Sequence, residues 1–555
     1  MNLNFEAVSP AKTKLFIIII AALLFLPFLG KVHLFDWDEI NFAEASREMI
    51  ETSDYLRVHI DYEPFYEKPP LFFWVQVISM QIFGVNEFAA RFPNAVIGIF
   101  ALLILYSIGS KLHDKTFGVF WVMAYAGSIL PYFYFRSGIL DPLFNLFMFL
   151  SVWYIYKFFT WSEGKNLDYV YAGIFSGLAV LVKGPVGLLL PDLTFIIFNS
   201  LYFKKEKFRI VHMLLFGSVA MATAGIWFGV EYIVNGPTFL EAFFKYQVRL
   251  LTTGDAGFSG PVYYHIVVVL LGCFPASFFI FYAFGTGNTD QGSGNRFRSI
   301  MTILLVVVIV IFSIVKTKIV HYSSLSYYPV TYLGALALYS IFKGKIKSYM
   351  GLKISLIVSA AFTGLLISAL ALLGIYKNEL IPYLTDDYVK ANLQADSIWY
   401  GFEPAIGLLL IGFTVAAIIF FNRHKVTEGA TLLFGGTAVT LSLMLPLMLP
   451  QIENYVQGAP VAFYESLKGK DVYVKSVGFR SYADIYYSGK KIRNSASGIG
   501  IKHSEIENFL IHGDVKKPAY LVTKINEREK WTAIPTLEVL YEKNRFIFLK
   551  RKAAK

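Results

Sequence analysis

The chain has 555 residues, 56% hydrophobic and 16% charged, with a formal net charge of +11 and a mean hydropathy of +0.54; multi-domain soluble proteins do not have this balance. The apolar residues form runs long enough to cross a hydrocarbon core of about 30 Å, which excludes a secreted enzyme and a singly anchored protein; the runs do not alternate, which excludes a β-barrel. The single cysteine, Cys273, excludes a disulfide framework and a cysteine zinc site.

The first run, Leu15 to Leu29, follows Lys12 and Lys14 and has no small-residue cleavage site after it. It reads as an uncleaved span with its amino end in the cytoplasm. The loop that follows, residues 35–86, carries ten Asp/Glu against three Lys/Arg. It opens Phe35-Asp36-Trp37-Asp38-Glu39 and continues with Glu44, Glu48 and Glu51 on one helical stripe and Phe42, Ala45 and Met49 on another. This pattern predicts an amphipathic juxtamembrane helix lying along the membrane surface. Asp36 and Asp38 fit two readings that can hold together: caps at the positive end of that helix, and a carboxylate held at the mouth of a membrane cavity as a general base. The loop ends Tyr66-Glu67-Lys68-Pro69-Pro70. The two prolines stop a helix and fix the backbone, so Glu67 and Lys68 are presented rigidly, to bind a phosphate or to pair with each other.

Further spans are predicted near 88–108, 116–133, 142–159, 169–182, 185–203, 211–232, 265–284, 299–315, 322–342, 354–376, 404–421 and 430–449, about thirteen in all. Lys and Arg crowd alternate connections, as the positive-inside rule requires: Lys111 and Lys115; Lys157 and Lys165; Lys204, Lys205, Lys207 and Arg209; Arg296 and Arg298; Lys343, Lys345 and Lys347; Arg423 and Lys425. The opposite connections are acidic, with five Asp/Glu against two Lys/Arg over 377–403. Three span ends on that acidic side carry ionisable groups: Arg136 to Asp141-Pro142, Lys183-Gly184-Pro185, and Lys316-Thr317-Lys318 with His321-Tyr322. Taken singly, lysines at span ends only snorkel. Together with Asp38, Glu67 and Lys68 they place carboxylates and cations that would clamp a lipid phosphate on one predicted face.

An odd span number puts the remainder outside. From about residue 451 the pattern changes to short alternating stretches, Asp471 to Lys475 and Arg545 to Leu549, with a helical segment from Ser504 to Ile511. The chain therefore divides into a transmembrane domain, 1–450, and a small extracytoplasmic α/β domain, 451–555. The tail holds 19 Lys/Arg against 11 Asp/Glu, a surplus that either attracts anionic headgroups and acidic substrates or only keeps the domain soluble. No repeat or glycine-rich phosphate loop stands out.

Three ordered motifs carry a resemblance: Asp38-Glu39 with Phe42-Ala43-Glu44 and Arg47-Glu48-Met49; Tyr66-Glu67-Lys68-Pro69-Pro70-Leu71; and Phe83-Gly84-Val85-Asn86-Glu87-Phe88-Ala89-Ala90-Arg91-Phe92-Pro93. With Leu140-Asp141-Pro142 and Val182-Lys183-Gly184-Pro185 they resemble the lipid A aminoarabinose transferases and the related protein O-mannosyltransferases, integral-membrane glycosyltransferases of the GT-C fold. The resemblance covers residues 30–190 strongly and the later spans more weakly. It implies an α-helical polytopic enzyme of about thirteen spans with an outer C-terminal α/β domain in the bacterial inner membrane. It implies inverting transfer of a sugar from undecaprenyl phosphate, or another polyprenyl phosphate, to lipid A or a protein hydroxyl at the periplasmic face.

Carried over residue by residue, Asp38 is the catalytic carboxylate that deprotonates or orients the acceptor, Asp141 a second catalytic acidic residue lining the site, and Lys68 and Lys183 the cations that neutralise the departing phosphate; Lys316 and Lys318, on the same predicted face, join them as cations for the donor phosphate. Glu39, Tyr66, Glu67, Arg136, His265, His321 and Tyr322 line the site. Relatives often carry a histidine before the element that here reads Gly260-Pro261-Val262-Tyr263-Tyr264; this chain has Phe258 there and His265 after the proline. No metal is assigned, and a divalent ion beside Glu67 is left open. The implied partners are the lipid-linked donor, a lipid or protein acceptor and membrane lipids, with no nucleic acid, the protein acting as a monomer. The rival class is a flippase for a lipid-linked sugar, but its charges belong mid-span rather than gathered at one side.

Overall fold

A computed structural model describes residues 8–161, 166–202, 210–253, 259–284 and 293–552. Lys165, Lys204, Lys205, Lys207, Arg209 and Phe258 of the sequence analysis lie outside the described residues. Most of the chain up to residue 450 is helical, and seven of the described helices are long and apolar enough to cross a bilayer, or eight if one bent pair counts as a single span. The remaining predicted spans correspond to shorter or less apolar helices: Pro10–Phe25, Lys115–Ala126 followed by Ile129–Tyr134, Asn166–Lys183, Val186–Tyr202, and Tyr327–Phe342 after a 3-10 turn at Val320–Ser326.

The span predicted over 265–284 is not straight. Tyr264–Gly272 and the helical stretch from Ala276 to Tyr282 meet at an angle of 103°. Pro275 sits at the break and has no N–H to continue the ladder. The Phe274 carbonyl, freed by the bend, accepts the Ile129 N–H at 3.1 Å, where the Lys115–Ala126 and Ile129–Tyr134 helices are interrupted in turn. Leu130 packs so closely on Gly272 that a Cβ there would lie 2.2 Å from its Cδ1.

Glu87–Leu112, 26 residues and about 39 Å long, gives the bundle its two ends. It starts where the Asn86 side chain caps it by accepting the Ala89 N–H at 2.9 Å. At its far end Lys343 pairs with Asp114 at 3.2 Å and Lys111 lies over the Trp161 ring. The connections that carry Lys111, Lys157 and Lys343 therefore share one end, and the acidic first loop lies at the other.

The helix expected along the membrane surface spans Asp38–Thr52, but every residue from Glu39 to Met49 is buried. It is wedged between two bodies of the protein instead of between water and lipid. Phe42, Ala45 and Met49 pack into the transmembrane core, while Ile40 and Ala43 pack with Val461, Tyr464, Tyr486 and Phe548 of the C-terminal region. Its charged stripe is consumed by the same contact. Arg47 holds Glu44 and Glu51 and also donates to the Lys490 carbonyl at 3.0 Å, and Lys491 reaches Glu51 at 2.8 Å. Burial first, and neighbouring Glu44 next, push the Glu48 carboxyl up to about 10, so it sits in this packing as a neutral acid.

A short hairpin, β1 (His59–Ile60) and β2 (Glu63–Pro64), follows. The C-terminal region holds a four-stranded mixed sheet in the order β3-β4-β6-β5, formed by Tyr473–Ser476, Ala519–Lys524, Phe546–Arg551 and Glu538–Lys543 respectively. β3 runs parallel to β4, and the other pairs are antiparallel. Ile506–His512 packs on one side. The hairpin turn is tied to this region by a buried ion pair, Lys490 to Asp61 at 2.6 Å. Burial opposes ionisation of Asp61, but Lys490, Lys475 and His503 together outweigh it and hold the carboxyl below its usual range.

Candidate active site

Five charged or titratable side chains from separate parts of the sequence meet at the acidic end of the bundle. Asp38 is the first residue of the Asp38–Thr52 helix, after Trp37, where the helix dipole favours a negative charge. Its Oδ2 faces His321 Nε2 at 3.5 Å. Asp141 begins the Asp141–Thr160 helix and Lys183 ends the neighbouring Asn166–Lys183 helix. Each thus carries the charge its helix end favours, and they pair at 2.5 Å. Only Asp141 Oδ1 takes part; Oδ2 is buried with no hydrogen-bond partner, ready to accept from a bound molecule.

Lys68 stands before the Pro69-Pro70 stop that precedes the Leu71–Phe83 helix. Its Nζ lies 5.0 Å from the Tyr246 ring centroid and makes no ion pair among the described residues. Burial, opposed by Glu67, Asp38 and Asp141 and aided by Lys183, holds its pKa below the usual lysine value. Those four neighbours define one electrostatic site. His321, in the 3-10 turn, has its pKa pushed down to about 3, first by burial and then by Lys183, so its imidazole is neutral near pH 7. Lys183 Nζ lies 5.4 Å from the ring centroid of Tyr322, the next residue in that turn.

The remaining predicted residues divide. Glu67 is half-buried beside Lys68, and Tyr66 packs its ring on Phe239 at 6.0 Å. Lys316 is exposed at the rim. Three residues expected in the site are occupied elsewhere. Lys318 donates to the carbonyls of Phe312, Ser313 and Val315 at 2.6–2.8 Å, closing the end of the Ser293–Ile314 helix with all three of its protons. Arg136 donates to the carbonyls of Leu24 and Pro27, anchoring the end of the first helix. Glu39 is buried against Arg91 at 2.8 Å and accepts the N–H groups of Phe35 and Gly138.

His265 faces Ser323 Oγ at 3.1 Å through Nδ1. Among the described residues no three His, Cys, Asp or Glu side chains gather as metal ligands. Two contributors have no signal near the motifs. Tyr246 comes from the Thr238–Thr252 helix, and Tyr482 comes from the C-terminal region, within electrostatic reach of Glu67, Asp36 and Asp38.

The model of the dolichyl-phosphate-mannose-protein mannosyltransferase family matches residues 67–227. A protein of Aquifex aeolicus described as uncharacterized is 27% identical over 415 residues, 73% of this chain and 78% of that one. The undecaprenyl phosphate-alpha-4-amino-4-deoxy-L-arabinose arabinosyl transferase of Pectobacterium carotovorum is 24% identical over 380 residues, 67% of this chain and 66% of that protein. Among solved structures, ArnT from Cupriavidus metallidurans bound to undecaprenyl phosphate superposes with a TM-score of 0.77 at 17% identity, covering 98% of both chains. With the polytopic helical bundle and its ordered motifs, these similarities make the chain a membrane glycosyltransferase of the GT-C fold, resembling the aminoarabinose transferases of lipid A and the protein mannosyltransferases.

Proposed function

We propose that this chain moves one sugar from a polyprenyl-phosphate donor, undecaprenyl phosphate in bacteria, to lipid A or a related acceptor at the outer face of the inner membrane, with inversion. The observation that carries the reading is the meeting of Asp38, His321, Asp141, Lys183 and Lys68 at one end of the bundle. An acceptor oxygen attacks the anomeric carbon from the face opposite the lipid phosphate. The bond from that carbon to the phosphate oxygen breaks, and its electron pair leaves on the polyprenyl phosphate. Lys68 and Lys183 neutralise that charge from fixed positions in a partly dry site, where a pre-placed cation is most effective. Asp38 takes or orients the acceptor proton, and the free Oδ2 of Asp141 lines the site and accepts from the bound sugar. The same reading holds that the chain crosses the membrane thirteen times, with the cluster and the C-terminal domain periplasmic, and acts as a monomer.

The test is direct. Purified protein given polyprenyl-phosphate sugar and lipid A is expected to release free polyprenyl phosphate, which a flippase does not do. Asp38→Asn is expected to lower the rate at least a hundredfold without altering yield or melting; full retained activity removes Asp38 from the mechanism. A second acceptor, a Ser/Thr hydroxyl on protein, is favoured by the mannosyltransferase family model over residues 67–227. Mass spectrometry of lipid A and of outer-face proteins, with and without the gene, distinguishes the two by where one sugar mass is gained.

A further inference from the structure

The stretch Phe479 to Tyr482 leaves the sheet after β3 and reaches the segment that leads into Asp38. Asp36 accepts the Tyr482 N–H at 3.1 Å and the Ser481 hydroxyl, and Ser481 Oγ in turn accepts the Ala483 N–H at 3.1 Å. Tyr482 meets the Trp37 ring edge-on at 6.4 Å. Arg480 lies against the same indole, its guanidinium carbon 5.4 Å from the ring centroid. These contacts hold Arg480 in one place, on the residue immediately before Asp38.

The side chain is exposed, and among the described residues no carboxylate lies within ion-pair reach of it. Several other cations of the same region are held in ion pairs, Lys490 by Asp61, Arg493 and Lys517 by Asp471, and Arg528 by Glu542. Asp36, which faces the same stretch, accepts from neutral donors, the Ser481 hydroxyl and the Tyr482 N–H. Stacking on Trp37 explains where the guanidinium rests; it leaves the hydrogen-bonding fork of the group unused.

We propose that Arg480 binds the anionic group of the acceptor, so that the C-terminal domain completes the transferase site and the acceptor is a phosphate-bearing molecule. This rests on the transferase reading above. A fork holding two phosphate oxygens leaves a third to attack. The new bond joins that oxygen to the anomeric carbon, the bond from carbon to the polyprenyl phosphate breaks, and the electron pair departs with the lipid phosphate. A hydroxyl acceptor has no charge to be met at this position.

The experiment uses the full chain with polyprenyl-phosphate sugar and two acceptors, phosphorylated lipid A and a serine-containing peptide. Arg480→Ala is expected to raise KM for phosphorylated lipid A at least tenfold, with donor KM and melting unchanged. Arg480→Lys, which keeps the charge and loses the fork, recovers part of the loss. Arg480→Gln serves where the alanine variant does not fold. An unchanged acceptor KM overturns the proposal, and so does a rise confined to donor KM, which gives the guanidinium to the leaving phosphate. Transfer by the wild type to the peptide alone overturns the phosphate acceptor and leaves the transferase reading standing. Release of no polyprenyl phosphate with either acceptor overturns both.

Discussion

Glu39 and Arg91 form a pair one residue away from Asp38, and the two neighbouring carboxylates have opposite characters. Arg91 donates to both oxygens of Glu39 and to the carbonyls of Leu29, Val32 and His33, and Glu39 also accepts two backbone N–H groups. Every donor of that guanidinium is used. Among the described residues Asp38 has one imidazole at 3.5 Å, Asp141 keeps an unpartnered oxygen, and Lys68 has only an aromatic face. The closed knot fixes the chain between the first helix and the next; the open cluster keeps its hydrogen-bonding capacity for something that arrives. Both regions are charged, and Asp141 is as buried as the knot, so it is the accounting of partners, and not charge, that separates scaffold from chemistry.

Three substitutions test that distinction, beginning with the knot. Arg91→Leu leaves Glu39 buried and unpaired and is expected to cost about 3–5 kcal/mol, read as a collapse of melting temperature and yield in detergent; near-normal melting would mean the knot is not structural. Lys68→Ala removes a cation from the open cluster. It is expected to lower kcat by about 10²–10³-fold, as for loss of one pre-placed charge-stabilising group, while stability changes by no more than about 1–2 kcal/mol, the size of a partly buried cation–aromatic contact. A large loss of stability with kcat preserved would move Lys68 into the scaffold. Lys318→Gln removes a helix-end contact worth about 1 kcal/mol and is expected to leave transfer within about twofold; a hundredfold loss would return Lys318 to the phosphate site.

The sequence was most informative where local rules act alone. Hydrophobic runs located the helical stretches, and the alternation at 471–475 and 545–549 pointed to strands that lie at Tyr473–Ser476 and Phe546–Arg551. Asp141, Lys183 and Lys68 were legible because charge at a helix end or against paired prolines is unusual. The environment of Lys318 was not, because a lysine four residues beyond a helix can reach back to its carbonyls or outward to a ligand with the same sequence. The helix at Asp38–Thr52 carries a surface pattern, yet its polar stripe meets Lys490 and Lys491, more than 430 residues away. A hydrophobic stripe records that a face is covered and not by what. Tyr482 and Arg480 escaped for the same reason: their neighbour in space is Trp37, and no local pattern links them.

The angular break at Pro275 and the interruption before Ile129 are joined by one hydrogen bond from the Ile129 amide to the Phe274 carbonyl. Each discontinuity supplies what the other lacks. Straightening either helix by itself would strand a polar group where the surroundings offer no water, so the two defects stand or fall together. A designer wishing to regularise this part of the bundle would have to redraw both helices together.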